Sequence, residues 1–374
     1  MASAVWIHRF CIGMRPPRNA GEDMHAKVLM ALALGVAACG RGERQRSGAD
    51  TVLVRGGEVA ARPLTAAELA QFAPLPAVMA PPGLKRTEAQ VALGRRLFHE
   101  PVLSQNHDVS CNTCHSLNGY GADGRKVSFG DLGHAGDRNA PTVYNAAGQI
   151  AQFWDGRAPT VEAQAKGPIL NSAEMAMPDS EAVLAHMRAS PEYRAAFQTA
   201  FPNERNPITY ENVGRAIGAF ERGLVTPAPW DRYLEGDRAV LTDDQQRGLR
   251  TFVQVGCASC HNGPYVGGGA FMKLGRLKPW PTSTDSGRYK VTHDPADLFV
   301  FKVPSLRNVE KTGPYFHDGS VASLDDAIRL MARHQLGVEL TDAQVHDIHA
   351  WMGALTGELP ATYISEPQQP PAGR

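Results

Sequence analysis

The sequence predicts a mainly α fold, built as two modules with long loops. Three observations carry this expectation. Two CxxCH motifs stand far apart, at Cys111–His115 and at Cys257–His261. The stretches leading into each motif, and one near the C-terminal end, place apolar residues at helical spacing. The 37 Gly and 27 Pro in 374 residues exceed the needs of a plain helical bundle, and no run alternates as a strand does.

The totals narrow the function. Lysine plus arginine equals aspartate plus glutamate at 38 each, so nothing suggests a nucleic-acid or polyanionic partner. A hydrophobic fraction of 43% is enough to bury a core, and the length accommodates two domains of ordinary size. Four of the six cysteines fall into the two CxxC pairs, leaving Cys11 and Cys39, which is a poor disulfide framework.

Taken in order, residues 1–38 read as a signal segment. From Met24 the chain runs MHAKVLMALALGVAACG: a lysine, a short apolar run, then small residues. The run is shorter than the roughly 20 apolar residues that a permanent membrane helix needs. Its end, Val36-Ala37-Ala38-Cys39, resembles the lipobox of bacterial lipoproteins, in which the cysteine carries the lipid. That reading is favoured over an ordinary signal peptide with a chance cysteine. Residues 1–23 carry no such pattern before the lysine, so Met24 is the expected initiator, and Cys11 would then not reach the mature protein. Residues 39–83 read as a tether and an arm.

The first module is assigned to 84–235. Its leading helix opens with Thr87-Glu88-Ala89-Gln90, a capping-box pattern, and carries Gly94 four residues before Phe98. Gly248 and Phe252 repeat that spacing ahead of the second motif, so the second module is assigned to 236–360. Its closing helix starts at Thr341-Asp342-Ala343-Gln344, keeps Val345, Ile348, Met352 and Leu355 on one face, and meets Gly357 where a helix would stop. Residues 361–374 read as a disordered Pro/Gln-rich tail.

The CxxCH motifs admit three chemistries. A zinc ribbon wants four cysteine ligands and has no use for the histidines. A thiol redox pair wants one CxxC beside a βαβ pattern, and none is visible. Covalent haem attachment uses all six residues: the two sulfurs, one helical turn apart, bond one porphyrin, and the next residue offers imidazole to the iron. Such attachment occurs outside the bacterial cytoplasm, in agreement with the signal segment. The modules are therefore expected to be two cytochrome c-like haem domains.

Between and around the motifs the chain reads RNAPT, QFWDGRA, QAKGP, AEM, PSLRN, GPYFHDGS and MARHQLG, spread over about 84–358. In this order they resemble the bacterial dihaem cytochrome c peroxidases. The resemblance implies an N-terminal peroxidatic haem on Cys111 and Cys114 with His115 as proximal ligand. It implies a C-terminal electron-transfer haem on Cys257 and Cys260, ligated by His261 and Met331. A thioether ligand raises the potential, as an electron store requires; Met331 also shares an apolar helix face with Leu324 and Ile328 and could simply fill space. Glu174 and Gln164 match residues of the peroxide pocket, where a carboxylate can move a proton between the peroxide oxygens. Trp154 matches a tryptophan between the haems. The resemblance also implies one calcium, with Asn139 offering a side-chain oxygen and Thr312 and Pro314 offering carbonyls.

In many members a distal histidine caps the resting first haem. Aligned without gaps, that position is Asp131, and a histidine follows at His134. Either the loop shifts and His134 serves, which is the reading adopted, or the first site is open. Gly130, Gly133 and Gly136 suit a loop that moves.

The expected activity is reduction of hydrogen peroxide, with electrons from a small protein donor, a cytochrome c or a copper protein. Periplasmic location, a lipid anchor at Cys39 and a homodimer complete the expectation. Two alternatives stand beside it. One is a related dihaem enzyme that matures a protein-derived quinone and carries tyrosine where the peroxidases carry methionine. The other is a dihaem electron carrier without turnover.

Overall fold

The computed structural model describes residues 54–55, 62–281 and 284–367. The signal segment, Met24, Cys39 and the end of the tail lie outside them. Among the described residues thirteen α-helices form the frame: α1 Ala66–Leu69, α2 Glu88–Phe98, α3 Cys111–Cys114, α4 Val161–Leu170, α5 Ser180–Ala189, α6 Pro191–Ala200, α7 Tyr210–Glu221, α8 Pro229–Leu234, α9 Asp243–Gln254, α10 Tyr289–Thr292, α11 Leu324–Met331, α12 Asp342–Gly353 and α13 Ala361–Ile364. The described strands are short. β1 (Val54–Arg55) pairs in parallel with β4 (Val338–Glu339), and β2 (Phe271–Lys273) pairs antiparallel with β3 (Val300–Lys302).

Local chemistry sets the main helix starts. Thr87 Oγ1 accepts from the Gln90 N–H at 3.2 Å while Gln90 Oε1 accepts from the Thr87 N–H at 3.0 Å. Thr242 with Gln245, and Thr341 with Gln344, repeat this reciprocal cap.

Two apolar cores organise the fold. The first gathers Leu93, Leu97 and Phe98 of α2 against Val213, Ala216, Ile217 and Phe220 of α7. The second gathers Leu249 and Phe252 of α9 against Val345, Ile348, Trp351 and Met352 of α12. Each helix pair crosses at a glycine. A Cβ on Gly94 would lie 1.8 Å from the Ala216 carbonyl oxygen, and one on Gly248 would lie 1.7 Å from that of Asp347. The Gly–Phe repeat is thus the contact point of a leading helix with a closing helix. The closing helix of the first core, α7, was not anticipated.

The connections after the closing helices match as well. The N–H of Asn145 donates to Leu224 O at 2.9 Å, and the N–H of Asn308 to Leu355 O at 3.1 Å. The Asn145 and Asn308 side-chain oxygens accept from the N–H groups of Thr226 (3.1 Å) and Gly357 (3.0 Å). Both asparagine amides then donate to one atom, Thr226 Oγ1, at 2.7 and 2.9 Å. All three side chains are fully buried.

Several boundaries differ from expectation. α8, assigned to the first module, packs in the second core: Trp230 meets Phe72 and Trp351 edge-on, and Asp231 forms a buried bidentate pair with Arg307 at 2.8 Å on both arms. The arm is not free over its described part, because Phe72 joins the second core. The tail is ordered through α13, where Tyr363 stacks on Phe220 at 5.2 Å and Ile364 enters the first core. α12 ends at Gly353, before Gly357. Gly357 is needed instead for close approach, since a Cβ there would lie 2.1 Å from Thr226 O.

Candidate active site

The first CxxCH is one short helix. α3 carries Cys111 and Cys114 a turn apart, and the His115 N–H closes the turn on Cys111 O at 2.9 Å. His115 Nδ1 lies 3.3 Å from the Gly121 carbonyl, which fixes the ring. Burial pushes the Cys111 thiol up, and the nearby carboxylates of Glu221 and Glu174 add to this. Burial also raises Cys114 and lowers His115. The second motif turns more tightly, as a 3-10 turn over Cys257–Ser259, with the His261 N–H on Cys257 O at 3.1 Å. Burial drives His261 down to about 4; the carbonyls of Val266 and Pro304 oppose this without meeting Nδ1 at hydrogen-bond geometry. All four thiols are free.

A cavity of about 260 Å³ adjoins the second motif, with Cys257, Cys260, His261 and Met331 on its walls. Met331 ends α11, and Leu324 and Ile328 of the same face line the cavity too. Sulfur pairs that are not cross-linked, a histidine in the same turn and a thioether across an apolar hollow form a donor set that fits a covalently held haem. The first motif repeats the pair and the histidine.

The QFWDGRA segment joins this cavity to a second one. Trp154 lies on the wall of the larger cavity, and its Nε1 donates to Asn139 O at 2.9 Å. Asp155 is held by Arg138 at 2.6 Å, which also grips Asp285 at 2.6 Å. This pairing accounts for the arginine of RNAPT, and it holds the Asp285 carboxyl far below its usual range against the opposing effect of burial. Phe153, at φ 65°, lines both the large cavity and a smaller pocket formed with Arg157, Ala163, Gly167, Asn171 and Glu174. Arg157 lies over the Phe153 ring at 3.4 Å.

Glu174 reaches that pocket half-buried. Burial raises its carboxyl above the usual range, while an Asn171 Nδ2 donor at 2.7 Å and the Arg157 charge oppose the rise. Gln164 is carried on α4, half-buried, but is off the wall of this pocket.

The loop at 129–135 departs from expectation. His134 is exposed, on a turn closed by the Phe129–Ala135 bridge. Asp131 is buried, donates its N–H to Glu174 O at 2.7 Å and accepts from the Asn106 N–H at 2.7 Å. Gly130 serves contact rather than motion, since a Cβ there would lie 2.3 Å from Ala173 O.

Asn139, Thr312 and Pro314 all line the large cavity. Among the described residues no group of three or more His, Cys, Asp or Glu could hold a metal, so a cation here would rest on neutral oxygens. Sequence reasoning passed over Phe153, Arg157 and Asn171. It also passed over His317, a buried ring stacked 4.3 Å from Phe301 on the cavity wall. Phe153, Arg157 and His317 stood inside quoted motifs, but nothing in their spacing marked them.

Comparison with known proteins decides the family. The profile of the di-haem cytochrome c peroxidases matches residues 88–239. Cytochrome c551 peroxidase of Pseudomonas aeruginosa is 44% identical over 279 residues, covering 73% of this chain and 80% of that protein. The chain belongs to this family. The di-haem peroxidase family also reaches methylamine utilization protein MauG of Methylorubrum extorquens, 35% identical over 300 residues, or 76% of this chain and 82% of that one. A solved MauG-like protein associated with microbial copper homeostasis superposes with a TM-score of 0.70 at 29% identity, covering 78% of this chain and 97% of that chain.

Proposed function

We propose that this protein reduces hydrogen peroxide to two waters, drawing two electrons from a small redox protein, a cytochrome c or a copper protein. One observation carries the reading: Phe153 walls both the hollow of the second CxxCH and the pocket of Glu174, so a single loop links an electron store to an acid-bearing pocket. Two covalent c-type haems, when bound, would supply the store and the centre for O–O cleavage. Cys111, Cys114 and His115 would hold the peroxidatic one; Cys257, Cys260, His261 and Met331 would hold the store.

The rest of the chemistry belongs to side chains. Glu174, kept protonated more readily than a solvated glutamate, passes a proton between the peroxide oxygens, and Asn171 fixes the carboxyl for it. Gln164, on α4 with Ala163 and Gly167 of that wall, would serve as a polar support. Trp154 and Phe153, on the wall of the larger cavity, would assist electron transfer toward the first centre. Asn139, Thr312 and Pro314 would hold calcium through neutral oxygens and water. The exposed His134 and the docked Asp131 support an open first site, with His134 able to serve only after the loop has moved. Met331 weighs against the quinone-maturing alternative. Export to the periplasm, a lipid anchor at Cys39 and pairing into a homodimer rest on the sequence and belong to the same proposal.

Stopped-flow mixing of the mature protein with peroxide and reduced donor tests the reading. Two donor equivalents should be oxidised per peroxide. No oxidation at any preset reduction state overturns it.

A further inference from the structure

Lys302 of β3 is 8% exposed, and its Nζ donates to Gln149 Oε1 at 2.6 Å and to the Ala151 carbonyl at 2.9 Å. Both partners are neutral, while an ammonium has three donors. A buried cation is costly unless an opposite charge meets it. Burial pushes this one down to about 8, and no carboxylate acts against the shift. The acids of the region are engaged elsewhere, Asp155 and Asp285 with Arg138 and Asp231 with Arg307.

Lys302 also lines the large cavity, together with Cys257, Cys260, His261 and Met331. Among the described residues on that wall there is no Asp, Glu or Arg, and Lys302 is the one lysine. The wall therefore carries a buried amine and no carboxylate, so an occupant that brings a carboxylate would complete an ion pair there. A haem brings two carboxylates.

We infer that Lys302 is the cation that pairs with a haem carboxylate in the second site and thereby helps to hold that haem at high potential. This rests on the haem reading above. The physical link is Coulombic: a nearby cation favours the form that has gained an electron, and more so in a low-dielectric site. A purely structural role would be different. Lys302 would then only tie down the 149–151 segment, and the potential would not depend on its charge.

Spectroelectrochemical titration of the full, matured protein, with covalent haem content measured in parallel, separates the two. Lys302→Met should keep two haems and shift the reduction equilibrium of the second about tenfold toward the oxidised form, a fall of ~59 mV for one electron. Lys302→Arg should restore the midpoint. Gln149→Glu sets a competing carboxylate beside the ammonium and should lower the midpoint without deleting the lysine; it decides the matter if Lys302→Met does not mature. An unchanged midpoint in either two-haem variant overturns the inference. A parent protein with no covalent haem overturns the haem reading itself, a failure visible before any variant is made.

Discussion

Glu174, half-buried, and Glu221, buried, are both acids near the first CxxCH, yet they differ in company. Glu174 has an amide donor and faces a pocket; Glu221 has Glu162 raising it further and only partial relief from Arg222. Glu174→Gln removes the titrating group while keeping the shape. We expect peroxide turnover to fall by about 10²–10⁴, the usual worth of a positioned acid or base, with haem absorbance unchanged. For Glu221, burial lifts the carboxyl from an ordinary 4.5 to about 8. Between those values the folded protein binds a proton that the unfolded chain has released, so its contribution is full below 4.5 and is lost as pH rises toward 8. Thermal unfolding across this window should show the parent losing stability with rising pH and Glu221→Gln losing less; equal slopes would contradict the assignment.

The helices show which features a sequence displays and which it hides. Capping boxes at Thr87 and Thr341 and the apolar face of α12 were legible because each is written within a few consecutive residues. α7 was missed although it is the centre of the first core: its face mixes Ala, Gly and Asn with larger residues, because α2 and α4 press against its backbone. In the site, the two CxxCH turns and the apolar face that Met331 shares with Leu324 and Ile328 were legible from local pattern. Phe153 was not, because its place between two cavities depends on a loop turning at positive φ. The glycine contacts make a prediction at this scale. Gly248→Ala must push α9 off the Asp347 carbonyl, since backbone cannot yield as a side chain can. We expect a loss of about 3 kcal/mol in urea unfolding, the upper end of overpacking costs.

The whole molecule is a repeat that local reading only half revealed. Gly94 and Gly248 cross closing helices at equivalent points, and Asn145 and Asn308 tie down equivalent connections. The loops between these shared marks differ in length, which is why sequence spacing matched poorly beyond the Gly–Phe pairs. The two halves meet at Thr226 Oγ1, which receives an amide from each. Thr226→Val keeps the volume and orphans both donors, at about 1–3 kcal/mol apiece, measured by the same unfolding titration.

That shared hydroxyl acts as a rivet. Sliding one half past the other would bare buried dipoles on both sides at once, so shear is resisted where the halves touch. In a dihaem peroxidase such a seam joins the half that carries the first CxxCH to the half that carries the second through buried dipoles.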